Sequence, residues 1–524
     1  MNQLKKRDSW GSRLGVIMAV AGSAIGLGNF LRFPAKAASN GGGAFMIPYF
    51  ISLLLLGIPL MWIEWTLGRF GGGFEHGTAP GIFHNIWRKN RFIKYFGVIG
   101  IFGPLVIFIY YTYIESWTLA YSFFSLMGKY AHVANESGMK SFLHGFQGLE
   151  HNQYFNGIGW AYLFFAFTFL INIVVIYHGI KGGIEKFCKW AMPLLFCCAA
   201  VLLVRVFTLG TPDAARPDWN IANGLGFLWN PDFQALKSAK VWLEAAGQVF
   251  FTLSVGIGVI LTYASYLSKG DDVVLSGLSA ASTNELAEVI LGGSIIIPAA
   301  FIFFGPTEMQ AIANSGVFNL GFVTMPLVLS KLPFVALFGF LWFFLLFLAG
   351  VTSSVSLAQP AIAFLEDEFN IDRRKAVWIF GIVAFILCQP AIFFLKHGVV
   401  DELDFWGGTF FLVVFATIET ILFAWVFGME KAWDEIHKGA DMRIPRIYKF
   451  IIKYITPAFL FIILGMWFWQ QWLSIILMKN VSMQDKPFIL GTRLVLLVVF
   501  IVLGVLVRIA WKKRKKKTVN EDDV

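Results

Sequence analysis

The sequence predicts an all-α membrane protein that crosses the bilayer many times. Of its 524 residues, 57% are hydrophobic and only 14% are charged, whereas soluble domains average about 25% charged residues. The 56 Phe and 19 Trp are more than one globular core can bury, so lipid must solvate much of the surface. The net charge of +10 comes from Lys and Arg in short runs between apolar stretches. That pattern is typical of membrane topology signals, and we expect no nucleic-acid partner.

The apolar stretches have the length of transmembrane helices. A helix needs about 20 apolar residues to cross the hydrocarbon core, whereas a barrel strand needs about ten residues that alternate in polarity. By this criterion about twelve segments are predicted to span the membrane. Their approximate cores are 14–38, 43–67, 96–126, 157–177, 187–207, 241–267, 278–304, 332–365, 376–395, 405–428, 455–478 and 488–510.

The basic residues lie in alternate connections between these segments. They precede the first, third and ninth predicted helices, follow the tenth, and form the run Lys512–Lys517 near the C-terminus. Cytoplasmic loops carry an excess of Lys and Arg, so both termini are expected in the cytoplasm of a multi-pass plasma-membrane protein. The N-terminal sequence MNQLKKRDSWGSR has no small-residue cleavage site, and we expect the first apolar segment to be retained.

Two of the predicted helices contain glycine clusters near their centres. The first includes GSAIGLGN at 22–29, and the sixth includes FTLSVGIG at 251–258. A glycine pair in a membrane helix usually serves close packing, but these clusters also contain hydroxyl or amide side chains. Their separation by five helices is expected if 14–207 and 241–428 are inverted repeats, followed by two further helices over 455–510. Unwound backbone at these points would offer carbonyls to a cation and helix N-termini to an anion.

Further oxygen-bearing side chains lie within other apolar segments. Thr352, Ser353 and Ser354 lie in the middle of the eighth segment, and Asn284 begins the seventh. Hydroxyl groups in membrane helices often bond only to a carbonyl of their own helix, and this alternative stays open. Oxygen donors without His or Cys favour a hard monovalent cation over zinc or copper. The sequence has no Walker A motif, no HExxH motif and no Ser-His-Asp spacing, so no enzyme activity is predicted.

Long collinear motifs give the chain a specific resemblance. They include GLGNFLRFP at 26–34, NGGGAFMIPY at 40–49, IYYTYIESW at 109–117, GQVFFTLS at 247–254 and NELAEVI at 284–290. Over nearly its whole length the chain resembles the neurotransmitter:sodium symporter family, and most closely its bacterial leucine-transporting members. The resemblance implies one integral membrane domain over 1–524, with the LeuT-type fold of twelve helices, two five-helix inverted-topology repeats, and helices 1 and 6 unwound.

The resemblance also implies two sodium sites. The first would use the substrate carboxylate and oxygen atoms of Ala24, Asn29, Thr252 and Asn284. The second would use the carbonyl oxygens of Gly22, Ile25 and Ala349 and the hydroxyl oxygens of Thr352 and Ser353. No other cofactor is implied.

The implied substrate is a hydrophobic L-amino acid, aliphatic or aromatic. Its carboxylate would be held by Leu27, Gly28 and Tyr111, and its ammonium group by Ala24, Phe251, Thr252 and Ser254. The side-chain pocket would be lined by apolar and hydroxyl residues, namely Ile107, Tyr111, Phe251, Ile257, Ser356 and Leu357. Here Ile107 and Ile257 stand where the leucine-transporting relatives have Val and Phe, and Ser23 replaces an Asn, so the preferred side chain is expected to differ.

Gly26 decides the expected substrate class. Family members that carry monoamines look to have an Asp at this position, which supplies the carboxylate that their substrates lack. A glycine leaves that charge to the ligand, so an α-amino acid is favoured over an amine.

The resemblance assigns roles to further charged residues. Arg32 and Asp404 are similar to an extracellular gate pair, and Arg7 and Asp367 to a cytoplasmic gate pair. Glu288 matches a carboxylate that marks chloride-independent bacterial members.

We therefore expect a sodium-coupled secondary symporter that imports an amino acid by alternating access. Two other classes compete with this interpretation. A ligand-gated channel or receptor is the first, and a channel would place a polar stripe along several helices. A membrane-embedded enzyme would need a nucleophile, base or metal constellation. The expected partners are the amino acid and the lipid bilayer, and a homodimer stays an open alternative.

Overall fold

The computed structural model of this chain describes residues 8–133, 135–231 and 233–522. Across these ranges the architecture is helical, with a single isolated β-bridge between Gly42 and Pro231. The principal helices in chain order are α1 (Arg13–Ala24), α2 (Gly28–Ser39), α3 (Gly43–Gly72), α4 (Ile93–Leu126), α5 (Gly159–Tyr177), α6 (Ile180–Phe207), α7 (Ala239–Leu253), α8 (Val259–Ala264), α9 (Val274–Asn314), α10 (Val335–Phe369), α11 (Arg373–Phe393), α12 (Val399–Val426), α13 (Ile447–Ile476) and α14 (Lys486–Asp522).

The predicted all-α membrane fold is confirmed. Ten of these helices are long and apolar enough to cross a bilayer, within the part of the chain that the structure describes. The first predicted span is divided into α1 and α2, which are bent by 47°. The sixth predicted span is divided into α7 and α8, of 15 and 6 residues. Both interruptions lie where glycines meet polar residues, as predicted, but the count of twelve spans stays a prediction.

One helix boundary differs clearly from the sequence prediction. The seventh span was expected to end near residue 304, whereas α9 continues to Asn314. Gly305 has φ 72° and ψ 173° and is followed by Pro306, so the backbone kinks there. The hydrophobic pattern ends at this kink and the helix resumes beyond it, which is why apolar length alone placed the end too early.

The helices form an inner group and a lipid-facing periphery. In the most apolar 18-residue window of α4, 83% of the residues are buried inside the protein, against 28% for α14. The α14 side chains that remain exposed are large and apolar, namely Leu490, Leu494, Leu497, Val498, Ile501 and Val505. Helix α1 packs on α6, α9 and α10. The first helix break is therefore enclosed by the inner helices.

Two glycines one turn apart allow α3 to pack directly on α8. A Cβ atom on Gly68 would lie 2.3 Å from the carbonyl oxygen of Leu261, and one on Gly72 would lie 2.0 Å from that of Ser265. Small residues four apart are the usual means by which membrane helices bring their backbones together. This contact fixes α8, which begins directly after the second helix break.

Residues near the N-terminus are bonded to several connections at one end of the molecule. The Gly11 amide and the Ser12 hydroxyl donate to the two carboxylate oxygens of Glu185, at 2.6 and 3.0 Å. Arg13 forms ion pairs with Asp272 at 2.8 Å and with Asp441 at 2.5 Å. The connections predicted to share one membrane face therefore meet at one end of the bundle.

We expect Gly72→Ala to destabilise the protein, because the added methyl group must push α3 away from α8. Overpacking of this kind costs about 1–3 kcal/mol, which exceeds the roughly 1 kcal/mol gained from the higher helix propensity of Ala. Thermal unfolding of the purified protein in detergent measures the change. Gly73→Ala is the matched control, since its Cβ atom would come no closer than 3.3 Å to its neighbours. Equal melting temperatures for the two variants would contradict the packing argument.

Candidate functional site

The break between α1 and α2 leaves backbone groups that side chains from the protein interior satisfy. Ile25 is extended, with φ −78° and ψ 92°. The Gly26 amide donates to Asn29 Oδ1 at 2.9 Å, and the Leu27 amide donates to the Tyr111 hydroxyl at 3.1 Å. Unpaired amides are costly in a bilayer interior, because no water is present to replace the lost partner. Tyr111 and Asn29 therefore hold the break in a defined shape.

The break between α7 and α8 is built on left-handed backbone. Ser254, Gly256 and Gly258 have φ values of 53°, 75° and 89°, a region that glycine occupies freely and Ser does not. The Gly256 amide donates to the carboxylate of Glu64. The Ser254 hydroxyl donates to the carbonyl of Ser23 at 3.0 Å. The two breaks are thus directly bonded to each other.

A cluster of buried oxygen-bearing side chains lies beside both breaks. Asn29 Nδ2 lies 3.1 Å from the Thr252 hydroxyl and 2.8 Å from Asn284 Oδ1. The Thr252 hydroxyl also donates to the carboxylate of Glu288, and Asn284 Nδ2 lies 3.4 Å from that carboxylate. Asn29, Thr252 and Asn284 are the side chains predicted for the first sodium site, and the fold brings all three into contact.

A second cluster joins α10 to the end of α1. The Thr352 hydroxyl donates to the carbonyls of Leu348 and Ala349 at 3.1 and 3.0 Å. The Ser353 hydroxyl lies 3.4 Å from the Gly22 carbonyl. A Cβ atom on Gly22 would lie 3.2 Å from Thr352 Cβ. Four of the five residues predicted for the second sodium site therefore meet, namely Gly22, Ala349, Thr352 and Ser353.

The bonding of Thr352 keeps an alternative open. Its hydroxyl bonds to carbonyls three and four residues earlier, which is how a threonine without any ligand also behaves in a membrane helix.

The ligand chemistry of both clusters suits an alkali cation. Their donors are carbonyl, hydroxyl and amide oxygens, which a hard cation prefers, with one nearby carboxylate. Among the described residues no group of three or more His, Cys, Asp or Glu side chains could hold a metal ion.

The junction of the two clusters holds the predicted substrate residues Phe251 and Ser356. Phe251 packs on Gly28, where a Cβ atom would lie 2.5 Å from its ring. The Ser356 hydroxyl lies 2.7 Å from the Ser23 hydroxyl. Ile107, Ile257 and Leu357 are buried apolar side chains.

Gly26 leaves no room for a side chain at this junction. A Cβ atom there would lie 2.8 Å from the Ser353 hydroxyl oxygen and 2.9 Å from the Tyr111 hydroxyl oxygen. Glycine at this position therefore keeps Tyr111 and α10 close to the first break.

Comparison with known proteins agrees with this arrangement. The sequence model of the Sodium:neurotransmitter symporter family matches residues 7–138 and 130–513. The chain belongs to the sodium:neurotransmitter symporter family. An uncharacterized sodium-dependent transporter of Methanocaldococcus jannaschii is 31% identical over 460 residues, which cover 87% of this chain and 89% of the relative.

Two further relatives are informative about the family. The sodium-dependent nutrient amino acid transporter 1 of Drosophila yakuba is 27% identical, over 88% of this chain and 78% of that protein. The crystal structure of MhsT in complex with L-phenylalanine superimposes with a TM-score of 0.74 at 29% identity, covering 87% of this chain and 99% of MhsT. The symporter therefore has the LeuT fold and is a sodium-dependent multi-pass transporter of a family that is not a family of enzymes.

The predicted extracellular gate residues of this symporter both have other partners. The guanidinium of Arg32 lies 4.3 Å from the ring centroid of Phe251, within the range of a cation–π interaction. Asp404 accepts a hydrogen bond from the Tyr110 hydroxyl at 2.6 Å. No ion pair joins Arg32 to Asp404 in the described ranges, so in this conformation each charge is held by an aromatic side chain instead of by the other.

The predicted cytoplasmic gate is described in part. Arg7 lies outside the described residues. The carbonyl of Asp367 accepts a hydrogen bond from Arg514 at 3.2 Å. Trp10 donates to the carbonyl of Tyr263 at 3.0 Å, and Gln359 donates to the Tyr266 hydroxyl at 2.8 Å. These contacts link the N-terminal segment, α8 and α10 at the end that holds Asp367.

The sequence prediction missed Gln248 in the symporter's polar network, and it named Ser23 only as a difference from the leucine-transporting relatives. Gln248 Nε2 lies 2.5 Å from Glu288 Oε1. The Ser23 carbonyl accepts a hydrogen bond from Ser254, and the Ser23 hydroxyl lies 2.7 Å from the Ser356 hydroxyl. Gln248 is a buried amide one turn before Thr252 on α7, so helical spacing from Thr252 could have identified it. The role of Ser23 depends on the exact path of the break, which no sequence period reports.

The hydroxyl of Thr352 provides a direct test of the second cluster. If it binds sodium, Thr352→Val keeps the side-chain shape, removes one oxygen ligand, and weakens the apparent sodium affinity by about tenfold, or roughly 1.4 kcal/mol. Sodium titration of amino-acid binding to the purified protein measures this midpoint. Thr420→Val is the matched control, because the buried hydroxyl of Thr420 bonds in the same way to the Ala416 carbonyl one turn earlier. A midpoint unchanged in both variants would assign Thr352 to helix back-bonding.

Proposed function

We propose that this symporter imports a hydrophobic L-amino acid, aliphatic or aromatic, together with two sodium ions. The observation that carries the proposal is the convergence of two oxygen clusters on a pair of broken helices that are bonded to each other through Ser254 and Ser23. Unwound helices that expose carbonyls and helix N-termini at one depth are the common architecture of substrate and ion sites in secondary transporters. Transporters with the LeuT fold are a standard example of that architecture, so the fold match and the site argument form one line of support.

The charges of a zwitterion explain the placement of the polar groups. Burying an amino acid requires partners for both its carboxylate and its ammonium group, because unpaired charges are expensive away from water. The Leu27 amide and the Tyr111 hydroxyl, now 3.1 Å apart, are donors for the carboxylate. The Ser254 hydroxyl and the carbonyls near it are acceptors for the ammonium group. A sodium ion at the first cluster would add positive charge next to the carboxylate.

Gly26 supports an amino acid over an amine as the substrate. With hydroxyl oxygens 2.8 and 2.9 Å from the position of an added Cβ atom, a fixed carboxylate at residue 26 could be accommodated only by moving Tyr111 or Ser353. The negative charge that sodium and the helix N-terminus attract must then come with the ligand. The names of relatives agree with this interpretation, since one is a nutrient amino acid transporter and MhsT was solved with L-phenylalanine.

An alternating-access mechanism gives the two repeats and the gate residues their roles in transport. We place 14–207 and 241–428 as inverted repeats around the site, with both termini in the cytoplasm. Arg32 and Asp404 close the extracellular side when they pair, and Arg7 and Asp367 close the cytoplasmic side. Opening of either side would expose the same midplane site to one solution at a time.

Sodium-dependent uptake is the decisive test of the proposed function. Purified protein in proteoliposomes should accumulate leucine or phenylalanine when sodium is imposed outside, and choline should not replace sodium. Two sodium ions with a zwitterion carry net positive charge, and each charge that crosses about 100 mV gains about 2.3 kcal/mol, so an inside-negative potential should accelerate uptake. Uptake that is unchanged in choline would refute sodium coupling. Uptake of amines but not of amino acids would refute the substrate class.

The buried carboxylate of Glu288 leads to an expectation about chloride. Its contacts with Thr252 and Asn284 place a carboxyl group beside the first cluster, and in its ionised form this group would stabilise a cation without help from an anion. Replacing chloride by gluconate should therefore leave uptake by the unmutated protein unchanged, and Glu288→Ser should make uptake increase with chloride. Glu308→Ser is the control, because Glu308 is an exposed glutamate farther along the same helix. Loss of uptake by the unmutated protein in gluconate would show that this assignment is wrong.

A further inference from the structure

A buried cluster of ionisable side chains joins three helices at the end of the molecule that holds Asp367. Glu368 lies near the end of α10, and its side chain is fully buried. His76 follows α3, and Arg514 lies on α14, which continues to Asp522. His76 Nδ1 lies 2.6 Å from Glu368 Oε1. Arg514 Nε lies 3.2 Å from Glu368 Oε2, and Arg514 Nη1 lies 2.9 Å from His76 Nε2.

The geometry of this triad determines which nitrogen of His76 carries a proton. A guanidinium has only donors, so His76 Nε2 must accept the bond from Arg514. The proton of the neutral imidazole is then on Nδ1, which donates to Glu368. Protonation of His76 would place an N–H against the guanidinium, remove that bond, and put two positive charges side by side. The imidazole is the side chain whose charge ordinarily changes between pH 5 and 8.

An aromatic ring and charged groups from several elements surround His76. Its ring stacks on Trp511 of α14, with centroids 5.8 Å apart and planes 9° apart. Glu368 is the acid that faces it, and the nearby cationic groups are Arg514, Lys94 and Arg88 together with His84. Burial and the neighbouring Lys94 lower the pKa of His84, so His84 gains its proton at a lower pH than an unperturbed imidazole does.

The triad is bonded directly to the predicted gate. Arg514 Nη2 donates to the backbone carbonyl of Asp367 at 3.2 Å. The guanidinium therefore holds two consecutive residues at the end of α10. It contacts the backbone carbonyl of Asp367 and the carboxylate of Glu368. Separating these groups would free the end of α10 from α14.

We propose that Arg514, His76 and Glu368 form a positioning relay that holds Asp367 in the closed cytoplasmic gate, and that protonation of His76 from the cytoplasm releases it. The relay rests on the proposed function, because that function makes Asp367 a gate residue. Its members act through Asp367 and are positioning residues.

The transport test varies the internal pH of proteoliposomes that contain the full chain. Amino-acid exchange is measured at saturating sodium on both sides, with the interior at about pH 7.5 or about pH 6, which bracket the imidazole range. Where gate opening limits turnover, acidification should accelerate exchange by the unmutated protein about threefold. Glu368→Gln keeps the shape but releases Arg514, so exchange should be fast at both values. Arg514→Lys keeps the charge and should retain part of the response.

Arg508→Gln is the matched control, since Arg508 is an exposed arginine on the same helix. It should keep the full response to internal pH. A full pH response in Glu368→Gln, or its loss in Arg508→Gln, would overturn the relay, because a structural ion pair would change expression or stability without removing the pH dependence selectively.

A second measurement reports His76 without transport. The protein is labelled with 5-fluorotryptophan, and the Trp511 resonance is assigned by its absence in Trp511→Phe. This ¹⁹F resonance should shift between about pH 7.5 and about pH 6 in the unmutated protein, since the stacked imidazole gains a charge, and it should not shift in His76→Gln. An unshifted resonance in the unmutated protein would overturn the proton switch. A resonance that titrates through His76 without any amino-acid exchange would support the switch and refute the proposed transport function.

Discussion

Unwound backbone inside a bilayer can persist only if the protein supplies every hydrogen-bond partner that water would otherwise provide. An unpaired amide or carbonyl in hydrocarbon costs several kcal/mol. Here the Leu27 amide is paired with Tyr111 and the Gly256 amide with Glu64. The polar residues that interrupt otherwise apolar helices are therefore explained first by the breaks. Under the proposed function the same groups would hold a zwitterion and cations, so the site would follow from the way the breaks are stabilised.

Close backbone approach is the second requirement, and glycine meets it at specific positions. Gly26 lets Tyr111 and Ser353 come near the first break, and Gly28 lets Phe251 pack across it. Gly72 brings α3 against the residue that follows α8, which anchors the second break. In each case the atom that a side chain would meet belongs to an element that defines the site. At Gly26 and Gly28 an added methyl group would therefore displace a side chain of the candidate site.

Much of this arrangement can be predicted from the sequence, because its signals are local. Apolar runs of about 20 residues locate membrane helices, and glycines mixed with polar residues located both breaks. The contact of Asn29 with Thr252 and Asn284 was expected from family motifs. Residues brought together only by tertiary packing were not predictable: His76 and Arg514 are separated by 438 positions and share no period. The separation of Arg32 from Asp404 depends on which conformation the chain adopts. All conformations share one sequence, so the sequence cannot say which of them is present.

Asn29 connects the first break to the predicted sodium cluster. Its amide oxygen accepts the bond from the Gly26 amide at 2.9 Å, while its amide nitrogen contacts Thr252 and Asn284. A cation that draws on Asn29 Oδ1 must compete with the Gly26 amide for that oxygen, and it must repel the amide nitrogen from the cluster. Under the proposed function, sodium bound to Asn29 would therefore free the Gly26 amide for the carboxylate of the substrate. Because such coupling is reciprocal, each ligand would then raise the affinity for the other.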